Sequence, residues 1–229
     1  MWPASPASST PPAATASPGP SRHDPGVPAP LPTVPPARRR PAMTTDWQLV
    51  SLDAAPRQPW RNGGGTTREL LAWPPGAPWT VRVSVADVTA PGPFSRFEGI
   101  ERWFAVLEGA GVELRVGGGA QRLDPGTEAL QFSGSAPVDC ALVDGPTLDF
   151  NLMAAPGLAR LRRVQGRWDF RVDGPALVAV YAHARPARLT LLETTLEVPP
   201  RHLLWRHRTW RAHGTLAGEG ALWLEARTP

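Results

Sequence analysis

The stretch Trp79-Thr80-Val81-Arg82-Val83-Ser84-Val85 alternates apolar and polar side chains from Val81 onward. A period of two is the signature of a half-buried β-strand, because successive side chains of a strand point to opposite faces. Val81, Val83 and Val85 therefore share one face, with Arg82 and Ser84 on the other. Leu148–Met153 repeats the pattern: Leu148, Phe150 and Leu152 lie on one side, and Asp149, Asn151 and Met153 on the other. A sheet face that carries Arg, Ser, Asp and Asn is either the wet outside of a sheet or the lining of a barrel mouth, and the wet face is the commoner outcome. The groups themselves nevertheless form a recognition set. A guanidinium fork suits a planar carboxylate, and an amide both donates and accepts.

Outward from these two stretches, the chain reads as short alternating or apolar runs broken by Gly and Pro. Strands are predicted over Trp79–Val85, Arg102–Leu107, Val112–Val116, Ala129–Phe132, Val138–Val143, Leu148–Met153, Trp168–Val172, Leu177–His183, Arg188–Leu192 and Ala221–Ala226. Many short strands at close spacing predict an all-β sandwich or barrel. Arg201–His213 fits either a helix, with Leu203, Leu204, His207 and Trp210 on one face, or an irregular strand. Gly109–Leu114 loosely resembles Gly218–Leu224, which predicts a turn feeding a strand in each half of the chain.

Composition bounds the function. The chain has 229 residues and 29 prolines, and residues 1–42 hold 13 of those prolines with almost no large apolar side chain. Such a segment cannot bury enough surface to offset the entropy of ordering, so disorder is expected over 1–42 and a globular domain over 43–229. Met43 stands directly before globular-looking sequence, and the expectation is that translation starts there. All 24 basic residues are arginine. Without lysine there is no protein Schiff base and no complete Walker A loop. The formal net charge of +4 sits mostly in the first 42 residues, where Arg22, Arg38, Arg39 and Arg40 face only Asp24. With a near-neutral body a general phosphate-binding surface is poorly supported, and no nucleic-acid partner is expected. No apolar run approaches the ~18 residues of a transmembrane helix.

Trp60-Arg61-Asn62-Gly63-Gly64-Gly65-Thr66-Thr67-Arg68-Glu69-Leu70 is the densest local signal. Asn-Gly before two more glycines reads first as a tight turn or bulge ahead of a strand. The alternative is a backbone N–H cradle for an oxyanion, flanked by Arg61 and Arg68. Pro91–Gly99 reads as a rigid loop anchored by Phe94 and Phe97. The histidines at 23, 183, 202, 207 and 213 lack zinc-site spacing, so no metal or other cofactor is expected. Cys140 alternates inward with Val138 and Leu142 and reads as core. No nucleophile elbow is present, and no catalytic residue is assigned.

Four segments occur in order: Trp60–Leu70, then Arg82-Val83-Ser84-Val85-Ala86, then Gly92-Pro93-Phe94-Ser95-Arg96-Phe97-Glu98-Gly99-Ile100-Glu101-Arg102, then Asp149-Phe150-Asn151-Leu152-Met153. The series resembles the HutD/Ves family over roughly residues 46–229. The resemblance implies a cupin-like β-barrel with two cupin-type halves, in a bacterial, cytoplasmic protein. It further implies a link to the control of histidine utilisation, or in one branch to stress response. The expected role is to bind a small carboxylate metabolite such as N-formylglutamate or urocanate, with no nucleic-acid or membrane partner; a homodimer is compatible with it. The motif positions carried over as ligand-binding are Asn62, Arg68, Arg82, Ser84, Arg102, Asp149 and Asn151. In this reading Arg82 or Arg102 clamps the carboxylate while Asn62 and Asn151 bond an amide or formyl group; alternatively, Arg68 and Asp149 pair to fix the pocket wall. The rival readings are a metal-free hydrolase or isomerase of small carboxylates, with Asp149 or Glu69 as base, and a stress-linked interaction module.

Overall fold

The computed structural model describes residues 46–76, 78–209 and 211–228. The expectations for residues 1–42 and for a start at Met43 lie outside the described residues. Within them the secondary structure is entirely β, in three sheets. The first sheet has the order β2 (Arg57–Pro59), β3 (Gly65–Trp73), β4 (Val81–Val88), β11 (Thr147–Ala154), β6 (Glu101–Glu108) and β9 (Leu130–Ser133). A smaller sheet runs β5 (Gly92–Pro93), β10 (Val138–Leu142), β7 (Val112–Val116) and β8 (Gly119–Leu123). The largest runs β1 (Gln48–Ser51), β16 (His202–Arg208), β13 (Ala176–Ala182), β17 (Ala212–Arg227), β14 (Ala187–Leu191) and β15 (Thr194–Val198), with β12 (Ala159–Val172) also paired to β17.

The alternation that opened the sequence reading sets how these sheets stack. Val81, Val83, Val85, Phe150 and Leu152 project from one face of the first sheet and meet Leu177, Tyr181, Leu203 and Leu222 of the largest. From the opposite face Ala86, Val88, Phe104 and Val106 pack on Leu114, Val138 and Cys140 of the smaller sheet. A third cluster, including Phe170, Val180, Leu189 and Trp223, fills the other side of the largest sheet. Because both of its faces are covered, β11 is buried at every residue, including Asp149 and Asn151. The polar face of the first sheet is thus not the wet face that was the commoner expectation.

Each of the ten predicted strands coincides with an observed one, and the all-β, barrel-type class is borne out. A repeat of two cupin-type halves is a finer statement than this sheet order establishes. Two readings need correction or a decision. Arg201–His213 holds a strand, β16, which pairs with β1 and β13, so cross-strand hydrogen bonding decides against the helix. Gly109 and Gly111 do make the turn before β7. Gly218-Glu219-Gly220 instead forms a bulge inside β17, where the register against β12 shifts and Gly220 takes a φ of +75°.

Candidate functional site

Strand register brings the polar side chains of the first sheet into rows. Arg82, Met153 and Arg102 lie side by side across β4, β11 and β6. The next row is Glu69, Ser84, Asn151 and Phe104, and the one after it is Thr67, Ala86, Asp149 and Val106. A pocket of about 460 Å³ opens over this surface. Its floor includes Thr67, Arg82, Ser84, Arg102, Phe104, Asn151 and Met153, and its walls include Trp60, Arg61, Asn62, Phe94 and Phe97. That volume suits a small metabolite.

The walls follow from local sequence. Asn62 Oδ1 accepts the Gly64 N–H at 3.1 Å, and Gly63 takes a φ of +71°. The Asn-Gly-Gly-Gly segment is therefore the expected turn, which hands the chain to β3 and leaves Asn62 on the rim. Trp60 Nε1 donates to Thr67 Oγ1 at 2.7 Å and fixes the indole against the pocket. The Pro91–Gly99 loop is tied down by the Phe94 N–H on the Val138 carbonyl and the Phe97 N–H on that of Gly134. Both phenylalanines thereby face Arg102.

Arg102 is the most unusual group in the pocket. It is only 6% exposed, and no ion pair holds it among the described residues. One terminal nitrogen donates to Asn151 Oδ1 at 3.0 Å and the other to the Ser95 carbonyl at 3.4 Å, while Nε has no partner. Phe94, Phe132 and Phe97 ring the guanidinium, with centroids 5.1, 5.2 and 5.8 Å from Cζ. Burial, and secondarily the charge of Arg82, lowers its pKa to about 10, so it remains a cation at neutral pH. A buried cation that lacks an anion is costly unless a ligand supplies one. Arg82 differs, because its Nε donates to Glu69 Oε2 at 2.7 Å.

Five of the seven predicted residues, Asn62, Arg82, Ser84, Arg102 and Asn151, come together in the pocket lining. The other two do not. Arg68 points to the opposite face of the sheet, where it bonds Asp87 at 3.2 Å and stands 3.7 Å from Asp53. Asp149 is fully buried beside the pocket, accepts the Thr147 hydroxyl at 2.7 Å, and keeps Oδ1 without a partner. These two do not pair with each other, since Arg68 leaves its strand on the face turned away from Asp149. Desolvation pushes the Asp149 carboxyl up to about 7; the Thr147 hydroxyl opposes this and the charge of Asp87 adds to it. Cys140, buried as expected, is pushed up to about 12 by burial and then by Asp149. The aromatic walls and Thr67 were missed as site residues. Trp60, Phe94 and Phe97 lay within the stretches singled out, but an aromatic in a turn reads first as an anchor.

No cluster of three or more metal-ligating side chains occurs among the described residues. Among the described residues there is no helix long and apolar enough to cross a membrane.

The sequence profile of the HutD family matches residues 53–224. An uncharacterized 21.2 kDa protein in the hutC 3′ region of Pseudomonas putida is 40% identical over 119 residues, which is 50% of this chain and 62% of that one. Protein Ves of Cronobacter sakazakii is 36% identical over 46% of this chain and 59% of its own length. The chain thus spans about six-tenths of these curated relatives. Among solved structures, HutD of Pseudomonas fluorescens SBW25 superposes with a TM-score of 0.70 at 28% identity, covering 80% of this chain and 99% of that one. A conserved protein of unknown function from Pseudomonas aeruginosa PAO1 gives 0.67 at 31% identity, covering 80% and 97%.

Proposed function

The chain belongs to the HutD family, and from that premise we infer that it is a non-enzymatic regulatory protein that binds a small acidic metabolite, such as N-formylglutamate or urocanate, in the control of histidine utilisation. The cupin-like barrel supplies the pocket. The observation that carries the reading is Arg102, a buried guanidinium with an unpartnered Nε and no carboxylate beside it, set in the pocket floor next to Asn151. A ligand carboxylate there would complete the arginine, while Asn151, Ser84 and Asn62 offer donors and acceptors for the rest of the molecule. The aromatic walls would exclude water and strengthen the charged contact.

Binding is favoured over chemistry for a specific reason. Of the two carboxylates considered as a general base, Glu69 is engaged by Arg82, and Asp149 is outside the pocket lining. Neither lines the pocket.

Calorimetry with urocanate and N-formylglutamate on the wild type and on Arg102→Ala tests the reading. A charge-assisted hydrogen bond is worth roughly 1.5–3 kcal/mol, so the folded variant should bind at least about tenfold more weakly. Wild-type protein that binds neither acid, or a folded Arg102→Ala of unchanged affinity, would overturn it. Release of a product from either acid would replace it with the enzyme reading.

A further inference from the structure

Arg82 on β4 and Arg102 on β6 face the same pocket from one register row, with Met153 of β11 between them. Neighbouring strands lie about 4.8 Å apart, so the two side chains leave the sheet about 10 Å from each other. After burial itself, the charge of Arg82 is what lowers the Arg102 pKa, so the two cations are close enough to interact. Among the described residues no carboxylate lies in the pocket lining to separate them. Glu69 takes only the Arg82 Nε–H, at 2.7 Å, from outside that lining, and its side chain is 37% exposed, so solvent screens the pair. The two terminal nitrogens of Arg82 have no hydrogen-bond partner among the described residues. Two like charges that face one small cavity repel each other, and an anion with a charge for each relieves that repulsion.

We propose that Arg82 is the second anchor of the site: Arg82 and Arg102 together bind a dicarboxylate with a short aliphatic spacer, one carboxylate on each guanidinium. This rests on the acid-binding reading above and ranks its ligands. N-formylglutamate, with two carboxylates, engages both anchors, whereas urocanate, with one, engages Arg102 alone. The spacer of a dicarboxylate so held lies over Met153, which gives its methylenes an apolar floor. Ser84 and Asn151 occupy the next row, where they meet a polar substituent on that spacer.

N-formylglutamate and N-formylglutamine match in size and differ in one charge, because a neutral amide replaces the side-chain carboxylate in the second. Calorimetry on the wild type should find the diacid bound at least about tenfold more tightly, the factor that one charged hydrogen bond represents. Arg82→Gln should bring the two compounds within about threefold of each other, and should leave urocanate within about threefold of its wild-type affinity. Circular dichroism checks that the variant is folded, and the wild-type ratio decides should it not fold. If the wild type holds both compounds equally and Arg102→Ala abolishes both, the pocket is an acid site with one anchor and the role of Arg82 is wrong. A preference for the diacid that persists in folded Arg82→Gln would assign the second charge to Arg61, the other cation of the lining, and would also overturn the proposal. If none of N-formylglutamate, N-formylglutamine and urocanate binds the wild type, the acid-binding reading falls and this proposal falls with it.

Discussion

Asp149 is a carboxyl group enclosed on all sides, with one oxygen on the Thr147 hydroxyl and the other unpartnered. Desolvation raises its pKa to about 7, whereas an unfolded chain holds the group near 4. Between those two values the folded protein keeps a proton that the unfolded chain has released. Stability therefore falls as pH rises from about 4 to about 7, and above that both states are ionised and the penalty stays constant. Asp149→Asn removes the titration. Urea unfolding at pH 4.5 and pH 8 should find the variant more stable than wild type at the higher pH, by an amount on the order of a few kcal/mol, with the difference shrinking at the lower. Parallel pH profiles for the two proteins would show that Asp149 is ionised at no cost. The same residue marks what could be read from the sequence. Alternation correctly put Asp149, Asn151 and Met153 on one face, and Arg82 with Ser84. It gives the face but not the position along it, so it could not show that the pocket reaches Asn151 and Met153 while Asp149, one row on, is outside its lining. Nor could it show that Arg68 turns away, since that depends on counting through the β3–β4 register.

The turn into β3 is an element whose three glycines do different work. A Cβ on Gly65 would lie 2.3 Å from the Asp87 carbonyl oxygen and 3.0 Å from the Trp60 ring, and the nearer atom is backbone that cannot step aside. A Cβ on Gly64 would meet only the Asn62 side chain at 3.5 Å, and one on Gly63 would meet open space, although there φ is +71°. Gly65→Ala should accordingly destabilise by about 1–3 kcal/mol, as overpacking does. It should also weaken ligand binding, because Trp60 and the β3–β4 pairing are displaced together. Gly63→Ala should cost about 1–2 kcal/mol through its left-handed backbone alone, and Gly64→Ala should stay within about 0.5 kcal/mol of wild type. Melting temperatures of the three variants that did not fall in this order would refute the packing account. The run of glycines was legible as a turn, because Asn-Gly demands one. What was hidden was the close approach at the third, which is created by Asp87, a residue 22 positions away that only strand pairing brings near. Strand β16 was left open between helix and irregular strand for a related reason. Its alternation is blurred by His202, Arg206 and His207, and its pairing with β1 and β13 settles the conformation. Strands β12 and β17 likewise ran on beyond their apolar ends, through arginines and glycines, because each is the other's partner.

At the scale of the whole molecule, the core between the first and largest sheets joins the N-terminal and C-terminal stretches of the described chain. Phe150 is fully buried there and packs on Tyr181, with ring centroids 5.2 Å apart. Around one margin of that core, charged groups from both sheets interlock. Arg201 grips Asp53 through Nε and a terminal nitrogen at 2.8–3.1 Å, His183 Nε2 meets Glu108 at 2.6 Å, and His183 Nδ1 meets the Tyr181 hydroxyl at 3.0 Å. The partners are 148 and 75 residues apart for Arg201–Asp53 and His183–Glu108. Separations of that size are why the network left no trace in the sequence, whereas the apolar faces it borders could be read from alternation. Deeper in, Arg163 of β12 donates to the carbonyls of Thr127 and Val106, tying the largest sheet to the first. A shared apolar core with polar ties on its flank predicts that neither sheet holds its fold without the other. Phe150→Ala should lower stability by about 3–5 kcal/mol, the usual cost of an aromatic cavity in a core. Because the cavity belongs to both sheets, tryptophan fluorescence and far-ultraviolet circular dichroism should lose signal together in urea, along one transition shifted to lower concentration. Tryptophans on both sheets, Trp103 and Trp223 among them, make fluorescence report on both. An early fluorescence change that left part of the dichroism to a second transition would mean that one sheet stack survives alone, and that the pocket's floor does not depend on the core behind it.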